Sequence, residues 1–99
     1  VKKGMSYIHL FAPCPTGWRF PAEKTIEVAR MAVETIFFPL WEAENGRFRV
    51  THVVDYPKPV EAYLKMVGKY RHLTRQEIAE IQEQVEERYR RLEALTRLA

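Results

Sequence analysis

The chain's only cysteine, Cys14, lies between two prolines in the run Ala12-Pro13-Cys14-Pro15-Thr16-Gly17-Trp18. The prolines fix the backbone on either side and hold the sulfur in one place. As a thiolate it could ligate zinc or the iron of a cluster, but such sites take about four ligands and this chain can supply one cysteine. The residues alone therefore leave two readings open: a small buried structural thiol, the commoner fate of a lone cysteine beside an apolar strand, or a ligand completed by residues elsewhere. His9, His52 and His72 are far apart, show none of the spacings common in metal sites, and read as structural or exposed. No glycine-rich phosphate loop, nucleophile elbow or paired-carboxylate constellation occurs. These 99 residues are expected to be catalytically inert by themselves. Trp18, just after Cys14, is the aromatic residue best placed to shield a cofactor, although core packing also accounts for it.

The elements that must position Cys14 can be read on either side of it. Ser6-Tyr7-Ile8-His9-Leu10-Phe11-Ala12 is aromatic and apolar and stops at Pro13, which predicts a buried strand with Cys14 just past its end. Pro15 to Pro21 carries the prolines and glycine of a specified loop. From Ala22 to about Phe38 a helix is predicted, with Ile26, Ala29, Val33 and Ile36 or Phe37 as its apolar stripe and Pro39 as its stop. This is half of a βαβ unit whose parallel partner strand would lie outside the chain.

Asn45-Gly46 is the preferred pair for a two-residue type I′ turn. Folding Leu40 to Val54 about it sets Glu44 opposite Arg47 and Glu42 opposite Arg49 on a wet face. Ala43 then opposes Phe48, and Trp41 opposes Val50, on a buried one. Cross-strand pairs of this kind contribute about 0.2–1 kcal/mol each. Tyr56-Pro57-Lys58-Pro59 predicts an extended connector. A short helix follows, with Val60, Tyr63, Leu64 and Val67 as its stripe and Gly68 as its C-cap. Thr74-Arg75-Gln76-Glu77 is a capping box opening a long helix with Ile78, Ile81, Val85, Tyr89, Leu92 and Leu95 on one face. Arg88 breaks a strict heptad, so this helix is expected to pack on the parent protein or on a partner subunit.

A composition 46% hydrophobic and 29% charged is that of a globular protein and excludes a disordered one. The net charge of +3 is spread among acidic residues, which argues against nucleic-acid binding. No apolar run reaches the roughly 20 residues of a membrane span, and no secretory leader is evident. The opening Val1-Lys2-Lys3-Gly4 reads like a loop cut from something longer, so a cytoplasmic, soluble parent is expected.

Tyr7 to Trp18 resembles the C-terminal region of the β subunit of pyruvate (2-oxoacid):ferredoxin oxidoreductases, the pyruvate synthases. Lys24 to Thr35 with Pro39-Leu40-Trp41-Glu42 is similar to that family's next helix and hairpin, and Pro59 to Leu64 with Gly68 to Leu73 to its closing segment. The resemblance spans residues 5–73. It implies an α/β fold, a strand–helix–β-hairpin–helix–helix piece completing a thiamine-diphosphate-binding domain over residues 1–73; residues 74–99 go beyond the resemblance and are expected to form an amphipathic helical extension. It further implies that Cys14 is a ligand of the proximal [4Fe-4S] cluster, while thiamine diphosphate and Mg²⁺ are bound by other parts of the subunit. The implied reaction is oxidative decarboxylation of a 2-oxoacid, pyruvate by preference. The acyl group goes to coenzyme A and electrons go to ferredoxin, with other subunits as partners. No catalytic residue carries over. The alternative is a non-catalytic subunit-interaction module in which Cys14 is structural.

Overall fold

The computed structural model describes Gly4 and residues 6–98; the loop expected at Val1-Lys2-Lys3 lies outside them. The element order is α1 (Pro15–Trp18), a 3-10 turn (Ala22–Lys24), α2 (Thr25–Glu34), β1 (Trp41–Glu44), β2 (Arg47–Val50), α3 (Glu61–Leu64), a second 3-10 turn (Gly68–Tyr70) and α4 (Arg75–Thr96). Helices and a two-stranded antiparallel sheet make it an α/β chain.

The hairpin register pairs Trp41 with Val50, Glu42 with Arg49, Ala43 with Phe48 and Glu44 with Arg47. Asn45 and Gly46 both have positive φ, 53° and 77°. This is what a type I′ turn requires, and Asn and Gly are the residues that tolerate it. Arg49 donates to the Glu42 carboxylate on the outer face, and the Trp41 and Phe48 rings lie 5.5 Å apart on the other. That second face is less covered than expected, because Trp41 keeps 46% of its surface exposed.

Two expectations fail in the segments that flank Cys14. Residues 6–12 form no strand: the segment has no regular secondary structure, with Tyr7, Ile8 and Leu10 exposed. A strand exists only through ladder bonds to a neighbour, and no described residue supplies one. The stretch Pro15–Pro21 is likewise not an irregular loop throughout, since Pro15–Trp18 closes one helical turn.

Helix α2 stops at Glu34, short of Pro39. Ile36 takes a left-handed φ of 55°, and Ile36 N donates to Val33 O and Phe38 N to Ala32 O, both at 3.0 Å. This reversal is strained for a β-branched residue. It persists because it buries Ile36 and turns Phe37 and Phe38 onto the core. The buried face of α2 is Val28, Ala32 and Thr35, and the expected Ile26 is exposed. Both faces of this helix carry apolar residues, so periodicity alone could not choose between them. The buried Thr35 hydroxyl is satisfied by donating to Met31 O at 2.8 Å.

Val60, Tyr63, Leu64 and Val67 are buried as predicted and join Phe20, Val28, Ala32, Ile36 and Val85 in one core. Helix α4 lays Ile78, Ile81, Val85 and Tyr89 against that core. Its apolar stripe is thus covered mainly by this chain itself. Its polar residues contribute too: Gln82 Oε1 accepts from Val60 N at 2.7 Å, capping the start of α3. Arg88, the break in the heptad, donates to Phe37 O at 3.3 Å.

The capping box forms in full, with Glu77 N donating to Thr74 Oγ1 at 3.2 Å and Thr74 N to Glu77 Oε1 at 2.9 Å. Thr74→Ala should therefore destabilise the α4 end by about 1 kcal/mol, read as faster hydrogen exchange in the first turn of α4 with the other helices unchanged.

Three carboxyls are held below their ordinary range. Lys58 does this to Glu34 by a hydrogen bond, across a 2.7 Å ion pair. The Thr74 amide and hydroxyl act on Glu77, and Arg90 and Arg91 on Glu87. A carboxyl depressed in the fold stabilises it above the unfolded value near 4.5 and ceases to do so as pH falls through the folded value. Thermal melts should therefore shift down on acidification from about pH 5 to pH 3. Glu34→Gln should flatten that shift, though only slightly, because exposed pairs are weak.

Candidate metal-ligand site at Cys14

Cys14 is the N-cap of α1, with extended backbone at φ −117° and ψ 104°. Pro15 takes the first helical position, where its missing N–H costs nothing. The Cys14 carbonyl accepts from Trp18 N at 2.8 Å, and its Sγ accepts from Gly17 N at 3.4 Å. The turn ends at Arg19, in the left-handed region at φ 59°, and Phe20 N donates to Pro15 O at 3.1 Å. One helical turn with bonded ends therefore presents the sulfur.

Among the described residues nothing buries Cys14, which is solvent-exposed. On one side Phe11 meets Trp18 edge-on at 5.2 Å, and on the other Lys69 Nζ stands 4.2 Å over the Trp18 ring. Trp18 packs beside the turn, as core packing predicted. Among the described residues no group of three or more His, Cys, Asp or Glu side chains could hold a metal. His9 packs on Phe38 at 5.0 Å, and His52 and His72 are exposed in loops. A structural or exposed role suits all three. The donor set at Cys14 is thus one exposed, pre-positioned thiol. That fits one corner of a cluster whose other ligands come from outside these residues.

Sequence sensed Pro13 and Pro15 but missed Arg19, Gly68 and Lys69. Gly68 does not cap α3, which ends at Leu64. It is buried against the Cys14 turn, with Gly68 N donating to Arg19 O at 2.8 Å. Its lack of a side chain was a signal, but one that suited a helix cap equally well.

No protein-family model matches the chain. Curated relatives do. The chain is 48% identical over 94 residues to ketoisovalerate oxidoreductase subunit VorB of Pyrococcus abyssi, covering 93% of this chain and 30% of the relative. It is 50% identical over 93 residues to pyruvate synthase subunit PorB of Methanocaldococcus jannaschii, covering 89% and 31%. The chain belongs to the VorB and PorB family of 2-oxoacid oxidoreductase subunits. Another relative is the NADH-dependent phenylglyoxylate dehydrogenase subunit beta of Aromatoleum evansii, 45% identical over 96% of this chain and 22% of the relative. The chain thus spans about 30% of the VorB and PorB subunits it matches. Alignments covering 93% and 96% of the chain run into α4, so the similarity to these relatives includes part of that helix's sequence. No helix among the described residues is long and apolar enough to cross a membrane.

Proposed function

We propose that this chain is the C-terminal part of the β subunit of a 2-oxoacid:ferredoxin oxidoreductase and supplies Cys14 as one ligand of the proximal [4Fe-4S] cluster. In the complete enzyme, 2-oxoacids, pyruvate first among them, would be oxidatively decarboxylated. The acyl group would pass to coenzyme A and the electrons to ferredoxin. Thiamine diphosphate and Mg²⁺ would be held by the remainder of the subunit, since no phosphate-binding motif occurs here. We place the complex in the cytoplasm, with the other oxidoreductase subunits as partners.

The observation that carries this reading is the exposed sulfur of Cys14 at the head of a bonded turn, in a chain whose relatives are oxidoreductase subunits. The relatives' names specify ketoisovalerate, pyruvate and phenylglyoxylate. A segment so similar across three substrates is better suited to a task they share than to substrate choice. An iron–sulfur cluster, when bound, carries single electrons, with its potential set by charge, hydrogen bonding to sulfur and exposure to water. What this chain contributes is placement. Pro13 and Pro15 restrict the backbone, the Trp18 and Phe20 amides close the turn, and Gly17 N–H points at the sulfur.

That last contact also favours a second reading, in which Cys14 is only a helix cap within a subunit-interaction module. Iron, acid-labile sulfide and the visible spectrum of the complete, anaerobically purified subunit separate the two. Cys14→Ala should lose one cluster's worth of iron if Cys14 is a ligand, and none if it is a cap.

A further inference from the structure

A Cβ built on Gly68 would lie 2.6 Å from Arg19 O and 2.7 Å from Arg19 Cβ. Both are far inside van der Waals contact, and the first is with backbone that no rotamer change can move. The next residue, Lys69, places its ammonium 4.2 Å over Trp18 and 5.2 Å over Tyr70. Two successive residues of a 3-10 turn thus grip two successive residues of the turn that Cys14 caps. Gly68 takes the Arg19 carbonyl by its N–H at 2.8 Å, and Lys69 takes the Trp18 ring by a cation–π contact. Val67, just before them, is fully buried in the core, so the grip is anchored.

We propose that Gly68 and Lys69 are positioning residues that seat the Cys14 turn on the core. Because Trp18 N bonds Cys14 O and Phe20 N bonds Pro15 O, Arg19 cannot yield to a new methyl group without displacing the turn that holds the sulfur. This inference rests on the ligand reading of Cys14 for its cluster readout, but not for its thiol readout.

The test uses the complete subunit with Gly68→Ala, Lys69→Gln and Lys69→Arg, each checked for native circular dichroism. Two quantities are read: the electron paramagnetic resonance line shape of the dithionite-reduced cluster, and the rate of Cys14 alkylation by iodoacetamide after iron is chelated away. Gly68→Ala should change the line shape and speed alkylation several-fold, as the sulfur leaves the Gly17 amide. Lys69→Gln should do the same to a smaller degree, and Lys69→Arg, which keeps the cation over Trp18, should restore wild-type values. A folded Gly68→Ala with wild-type alkylation and line shape overturns the proposal. Should Gly68→Ala not fold, the Lys69 pair decides, since equal behaviour of Gln and Arg also overturns it. If Cys14→Ala keeps all its iron, the ligand reading fails while the alkylation rates still judge the grip.

Discussion

On the activity and ligand role proposed above, replacing Cys14 by serine in the complete enzyme is expected to lower 2-oxoacid-dependent reduction of ferredoxin by at least about 100-fold, because changing even an outer-shell partner of a metal site costs 10–100-fold and this residue would be a ligand itself. The fold should not change. Cys14 is exposed, and among the described residues the side-chain bond it would lose is the 3.4 Å contact from Gly17 N, which a serine oxygen at an N-cap can replace. Serine is thus the sharper substitution: it preserves the cap and removes the soft thiolate ligand. Steady-state reduction of ferredoxin, alongside the circular dichroism of the variant, checks both halves. Full activity in Cys14→Ser would leave capping as the residue's role.

Legibility in the sequence followed the range of the forces involved. Asn45-Gly46 and Thr74-Arg75-Gln76-Glu77 act within a few residues, and the hairpin register and the capping box formed as their chemistry dictates. The stripe Val60, Tyr63, Leu64, Val67 was equally plain, because its larger apolar residues recur at helical spacing, and all four are buried. Three features depended on distant partners and could not be read. Tyr7 to Ala12 has strand chemistry but no strand to pair with among the described residues. On α2, Val28 was chosen over Ile26 by where α3 and the rest of the core lie. Gly68 had a local reading as a cap and an actual use as a close approach to Arg19. The site divided the same way. Pro13 and Pro15 announced a fixed Cys14, whereas the residues that seat its turn, Gly68 and Lys69, are distant from it in sequence.

The packing argument has its sharpest consequence at Tyr63. Its side chain is 1% exposed, stacks on Phe37 at 4.6 Å, and lies 6.2 Å from both Phe11 and Tyr70. Through Phe11 it also supports Trp18, the ring beside the Cys14 turn. Burial and the neighbouring Tyr70 push its hydroxyl's pKa upward, so it stays neutral throughout the physiological range. Tyr63→Ala would leave a ring-sized cavity at the meeting point of α2, α3 and the Phe11 segment. Large-to-small changes of an aromatic in a core cost about 3–5 kcal/mol, a large part of the stability of a domain this small. Tyr63→Phe keeps the ring and its stacking on Phe37, so it leaves no ring-sized cavity and should cost far less. Urea denaturation of the two variants, with hydrogen exchange of the α2 and α4 amides as a local readout, measures the difference. A Tyr63→Ala variant as stable as Tyr63→Phe would mean that the aromatic cluster is not what joins the Cys14 turn to the core.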